Sequence, residues 1–303
     1  GGGAMYRLDG LSAATTNGVT VLPCTAGGRY LLMYNNVITA KQAGAVGDGI
    51  ADDYLPLQNL LDACPNIVAK LDPLPYLSTT GLVLPNNTTV IAYGATLTVE
   101  TTGEDRAVDM GSWCTWKGGT IIDAYQSGGT GSSNDHCPVR FGDYTGVANY
   151  GVSNSVLREV TLDVSGSYAT VSVLVTQGSE NITIDTVEVL ASATLDAAIL
   201  MHWGFVDAGD VTQGTRHPHN VKVHNINVGS LSQQHMILML LTYPVYVLGL
   251  RFNRLLATTA STTAAFHSLL WVLLVLRMLP VCTAIYMVPL LSRLTRMILR
   301  STL

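Results

Sequence analysis

Between about residue 80 and residue 230, apolar and polar positions alternate in short bursts separated by Gly, Asn, Ser and Asp. One phrase recurs. Its clearest copies are Asn181–Val189 and Asn220–Val228. A looser copy is Ser155–Asp163, and weaker ones are Thr89–Leu97 and Cys114–Ile122. Each copy places apolar residues two apart, breaks for two residues, then places two more two apart. Side chains alternate sides along a strand, so a two-residue break shifts the alternation by one. A strand turning a corner needs that shift to keep its apolar side facing the same interior. Anchored at Ile91, Trp116, Leu157, Ile184 and Val223, the phrase repeats in steps of 25, 41, 27 and 39 residues. The short steps fit one coil of a parallel β-helix, and the long ones fit a coil plus a surface loop. Asn181 and Asn220 precede their strands, where Asn bonds its own backbone at a turn. A doubly wound fold needs a helix between consecutive parallel strands, and the pattern has none between residues 80 and 230.

The first part of the chain reads differently. Residues 5–38 give short strands with Gly and Asn turns, a small β lead-in. A helix is then predicted around Leu57, Leu60, Leu61 and Cys64, which fall at i, i+3, i+4 and i+7. Asp52 or Asp53 is expected to cap it, a carboxylate accepting free backbone N–H groups at the N-terminus. Pro56 in the first turn removes an N–H that has no partner there. Gly47 and Gly49 supply the sharp turn before the cap.

Residues 44–58 read GAVGDGIADDYLPLQ. This segment resembles the opening of the pectate-lyase-like superfamily found in phage tailspikes, whose pattern is roughly GAxGDGxxDDTxAxQ. Tyr54 stands at the usual Thr and Pro56 at the usual Ala. Leu82–Val90 followed by Gly94–Leu97 also resembles the first coils of that family, and the resemblance runs from residue 37 to about 230. It implies an all-β fold, a right-handed single-stranded parallel β-helix with a short N-terminal capping α-helix. It implies that Gly47, Asp48, Gly49, Asp52 and Asp53 are structural. It further implies a homotrimer in a virion tail, in contact with other tail or baseplate proteins. The partner would be a capsular or O-antigen polysaccharide, bound or depolymerised by a glycosidase or a lyase without a cofactor.

Charge changes the picture at the C-terminal end. The 303 residues carry a net charge of −5, which argues against a general nucleic-acid binder because phosphate binding needs a basic face. Residues 231–303 hold no Asp, Glu or Lys, six Arg and a single Gly, Gly249. The runs Met236–Leu250, Leu255–Leu276 and Met278–Ser292 are free of charged residues. Only Leu255–Leu276 approaches the ~20 residues a membrane helix needs, and Thr258, Thr259, Ser261 and His267 interrupt it. The segment reads as a shift of reading frame or a truncation rather than a membrane hairpin. The expected division is therefore 1–36 lead-in, with 1–4 a cloning scar, 37–230 β-helix, and 231–303 anomalous tail. No secretory signal peptide is read at the N-terminus. The five Cys have no CxxC spacing, so they read as buried free thiols rather than a zinc site or disulfides.

Sugar cleavage needs two carboxyls flanking the bond, or a base beside a uronate. The insertion between residues 184 and 223 is the densest group of titratable side chains: Asp196, His202, Asp207, Asp210, Arg216, His217 and His219. The catalytic candidates are Asp207, Asp210 and His202, with Glu188 on a coil face. Trp203 is expected to stack on a sugar, and Arg216 and His217 to bind it. A solvated loop without activity explains the same composition. His217 and His219 flank Pro218, but two ligands do not make a metal site. Enzyme and non-catalytic receptor-binding protein both remain open on this scaffold.

Overall fold

The computed structural model describes residues 3–100, 106–125, 137–142, 151–169, 171–176, 178–190, 195, 197–201 and 218–229. The anomalous tail, 231–303, lies outside them. The lead-in forms an antiparallel sheet of β1 (Tyr6–Asp9), β2 (Val21–Pro23) and β3 (Arg29–Leu32), with β3 in the middle. β4 (Val37–Thr39) then begins the parallel stack, and α1 (Tyr54–Asp62) follows it.

The stack winds through three faces. The first coil holds β5 (Val68–Lys70), β6 (Pro75–Ser78) and β7 (Leu82–Val83). The second holds β8 (Thr89–Ile91), β9 (Thr96–Val99) and β10 (Val108–Met110). The third holds β11 (Thr115–Lys117), β12 (Thr120–Asp123) and β13 (Val139–Phe141). In the fourth, β14 (Val156–Asp163) runs across the first two faces and β15 (Val171–Val175) lies on the third. β16 (Thr183–Leu190) and β17 (Ala197–Met201) repeat that plan, and β18 (Lys222–Val228) opens the last coil described. Every pairing from β4 onward is parallel, and strands pair with their equivalents one coil away. From β4 to β18 the described residues form a right-handed parallel β-helix.

The recurring phrase marks how each coil bends. On the first face Ala69, Val90, Trp116, Leu157, Ile184 and Val223 stack inward, none more than 2 % exposed. The first anchor is thus Val90, one residue before Ile91. Ile91 faces the other side of the strand and is only half-buried, and a one-residue slip moves a side chain to the opposite face. On the second face Tyr76, Leu97, Ile121, Leu162 and Val189 stack in the same way. The break falls at Glu159, Thr186 and Asn225, whose φ values are 57°, 55° and 51°. One left-handed residue turns the strand through the corner and returns the next apolar side chain to the interior. Burying each Leu, Ile or Val in these columns contributes roughly 1.5–3 kcal/mol.

α1 closes one end of the tube. Leu57, Leu60, Leu61 and Cys64 are buried. Gln58 bonds the backbone of Val83 twice, donating from Nε2 to its carbonyl at 2.9 Å and accepting its N–H at Oε1 at 3.0 Å. Val83 lies in β7, the edge strand of the third sheet, so this amide covers an edge that would otherwise be free to pair with another chain. Cys64, Cys114 and Cys137 are buried free thiols as expected, but Cys24, in the lead-in turn, is only half-buried. Among the described residues no helix is long and apolar enough to cross a membrane.

Candidate functional site

The glycine-aspartate loop does structural work. The backbone turns at Gly47 and Gly49, with φ of 62° and 71°. A Cβ at Gly47 would lie 3.1 Å from the Leu74 and Tyr76 side chains. Asp48 Oδ1 accepts the N–H groups of Ile50 and Ala51, both at 2.8 Å. Those two bonds hold its carboxyl below the usual range. Asp52 accepts the N–H of Tyr54 at 3.0 Å and the Thr79 hydroxyl at 2.6 Å. The Thr79 bond is the main cause of its own lowered pKa. Asp53 occupies the N-cap position of α1, but its side chain makes no cap bond. It points back into the loop, accepting the N–H of Val46 at 2.6 Å and of Gly47 at 3.0 Å, and it is fully buried. The expected capping role of Asp53 is therefore corrected: its carboxylate ties two loop amides, which have no strand partner, instead of helix amides. Asp52 serves the helix start.

The chemistry-bearing surface lies on the first face. Lys117, Arg158, Asp185 and His224 each follow an inward anchor by one position and so project outward in a column. Glu159, Thr186 and Asn225, one position further, line the corner beside them. Arg158 Nη2 lies 3.1 Å from Glu159 and 4.0 Å from Asp185. The two carboxylates thus share one guanidinium nitrogen. Lys117 Nζ is 3.8 Å from Glu159 and sits over the Tyr93 ring, 5.5 Å from its centroid. The Tyr93 hydroxyl donates to Glu159, and Asn225 Nδ2 donates to Asp185 at 3.0 Å. The Tyr93 hydrogen bond, supported by Lys117 and Arg158, holds the Glu159 carboxyl below the usual range. Gly118 makes the cluster possible, since a Cβ there would come within 2.5 Å of the Tyr93 ring.

These groups are partly exposed, and exposed ion pairs contribute only about 0–1 kcal/mol each. What the network secures is an ionised carboxylate and a guanidinium held beside it on a partly exposed face. Among the described residues no group of three or more His, Cys, Asp or Glu could hold a metal.

Of the sequence candidates, Glu188 lies on the second face of β16, exposed, beyond the corner at Thr186. There it accepts the Thr161 hydroxyl at 3.4 Å. Asp207, Asp210, His202, Trp203, Arg216 and His217 lie outside the described residues. His219 pairs with Glu180 at 2.8 Å one coil away. Sequence reasoning missed Tyr93, Lys117, Arg158, Glu159 and Asn225. For Lys117, Arg158, Glu159 and Asn225 the signal was present, one or two positions after each repeat anchor; Tyr93, three after Val90, is off that register.

No family model matches the sequence, and no curated protein matches it. Solved structures resemble it at low identity. PfbA, a surface adhesin of Streptococcus pneumoniae, is 18% identical with a TM-score of 0.45, over 63% of this chain and 48% of its own. The enzymatically active domain of tailspike protein 2 from bacteriophage CBA120 is 15% identical with a TM-score of 0.42, over 74% of this chain and 39% of its own. An iota-carrageenase complexed to iota-carrageenan fragments is 14% identical with a TM-score of 0.43, over 65% of this chain and 50% of its own. The chain thus spans half the length of these proteins or less.

Proposed function

We propose that this protein binds a bacterial surface polysaccharide across the first face of its β-helix and depolymerises it by hydrolysis. One observation carries the reading: Glu159 and Asp185 both approach the guanidinium of Arg158 on a partly exposed face, with Tyr93 and Lys117 beside them. A sugar chain offers hydroxyls and acidic groups to such donors and acceptors. Glu159, held ionised, suits the base or nucleophile of glycoside cleavage. The complementary proton donor is assigned to the insertion, where Asp207, Asp210 and His202 are the sequence candidates. Trp203, Arg216 and His217 join the substrate-binding groups, and Glu188 adds an exposed carboxylate on the second face. The sequence resemblance extends the proposal to a homotrimeric virion tail protein that meets other tail or baseplate proteins and takes capsular or O-antigen polysaccharide.

A non-catalytic receptor-binding reading rests on one specific observation. The Glu159 carboxylate is already engaged by Tyr93, Lys117 and Arg158, which suits a binding surface more than a free base. The test is incubation of the protein with purified capsule or O-antigen. New reducing ends that fall about 100-fold or more in the Glu159→Gln variant support hydrolysis, the loss expected for a base. Unsaturated uronates point instead to a lyase. Retained binding without either product establishes the receptor-binding reading, and neither product nor binding overturns the proposal.

A further inference from the structure

Six residues stand two positions ahead of the mutually paired Val68, Thr89, Thr115, Val156, Thr183 and Lys222. They are Asn66, Asn87, Trp113, Asn154, Asn181 and Asn220, and all are left-handed, with φ between 52° and 64°. This column turns the chain into the first face on every coil. Asn suits it, because its short amide bonds the local backbone and it tolerates φ above zero. At Asn220 the amide also donates to Asn181 on the neighbouring coil.

Trp113 breaks the column. A bulky residue at φ of 60° is an outlier, and such strain persists where function holds it. Packing does not account for it, since the Trp113 side chain is 61 % exposed while Trp116, three residues on, is 1 % exposed. The surroundings are polar. The Trp113 N–H donates to the Ser153 carbonyl at 2.8 Å, the Ser112 hydroxyl accepts the Ser153 N–H at 3.1 Å, and the Glu180–His219 pair occupies the same edge two and three coils along. Trp113 sits in the turn two residues before β11 begins at Thr115, and Tyr93 lies two residues past the end of β8 at Ile91. Tyr93 and Trp113 therefore bracket the two ends of the first face.

We infer that Trp113 is a sugar-stacking platform, a second binding position for the polysaccharide that crosses this face; the inference rests on the carbohydrate reading above. An exposed indole, its N–H a single polar handle, matches a pyranose, apolar on its ring face and polar at its edge.

The test uses the full chain, oligosaccharides released from capsule or O-antigen, and calorimetric titration. Trp113→Asn restores the column, so it is expected to melt about 2–4 °C higher yet bind about tenfold more weakly, as loss of a stacking aromatic does. Trp113→Tyr keeps a ring and is expected to retain most of the affinity. Equal affinity of parent and Trp113→Asn overturns this inference alone, whereas a parent that binds no such oligosaccharide overturns the carbohydrate reading with it. A Trp113→Asn protein that melts lower refutes the strain argument. One that loses an oligomer by light scattering at unchanged glycan affinity assigns the ring to a protein contact and also refutes the inference.

Discussion

The sharpest check on the fold is Asp53→Asn. Asp53 is fully buried and its two carboxylate oxygens each accept one loop amide, from Val46 at 2.6 Å and Gly47 at 3.0 Å. Asparagine has the same shape but keeps only one acceptor. Its NH2 group then faces a backbone N–H, donor against donor. One hydrogen bond to a charged group is lost, worth about 1.5–3 kcal/mol, and a buried N–H is left unsatisfied at a further cost of about 1–3 kcal/mol. The surviving bond is also weakened, because it is no longer charge-assisted. The expected loss is roughly 3–5 kcal/mol, a fall in Tm of roughly 6–20 °C for a domain of this size. Asp52→Asn is the control. Asp52 is exposed and its partners remain accessible to water, so its loss should stay within about 1 kcal/mol. Thermal denaturation followed by circular dichroism compares the two. If Asp53→Asn melts within about 2 °C of the parent, or no lower than Asp52→Asn, the buried-clamp account is wrong.

Thr186 holds the corner position between Glu159 and Asn225 with φ of 55°, a conformation that a β-branched residue adopts only under strain. Thr186→Asn should therefore stabilise the protein by about 1 kcal/mol and raise Tm by about 2–4 °C; a lower Tm in differential scanning calorimetry would falsify the corner argument. Acid should weaken the glycine-aspartate loop. Asp48 and Asp52 both titrate below their ordinary 3.8 in the folded chain, so the folded state binds fewer protons than the unfolded one. Their contribution is fully present above that value and is lost as pH falls through the depressed folded pKa values. Melting temperatures measured from about pH 6 down to about 2 should drop on the acid side, and the Asp48→Asn, Asp52→Asn double variant should show a shallower drop. An unchanged acid slope in the double variant removes these two carboxyls from the account.

Much of the winding was legible because a β-helix writes its geometry into a local code. Inward positions must be apolar, corners must admit left-handed residues, and both constraints recur at the same offset on every coil. Leu157, Ile184 and Val223 could thus be aligned from the sequence alone, and the same alignment carried Arg158, Asp185 and His224 outward together. The weak point was the second coil, where Val90 and Ile91 are both apolar β-branched residues and only strand pairing chooses between them. The candidate site was less legible. Composition drew attention to the titratable cluster after Asp196, whereas the described cluster draws Tyr93, Lys117, Glu159 and Asp185 from four successive coils.

By itself the sequence determined the repeat, the capping helix and the turn chemistry, because each depends on residues close along the chain. The tertiary structure decided that Asp53 serves a loop rather than a helix. It decided that Gln58 covers the β7 edge, that Glu159 is held ionised by a tyrosine two coils away, and that Trp113 stands in a column of asparagines. Those contacts join residues that are distant in sequence and adjacent only after stacking. Their energies depend on the position and direction of the partner, which residue type and spacing do not encode.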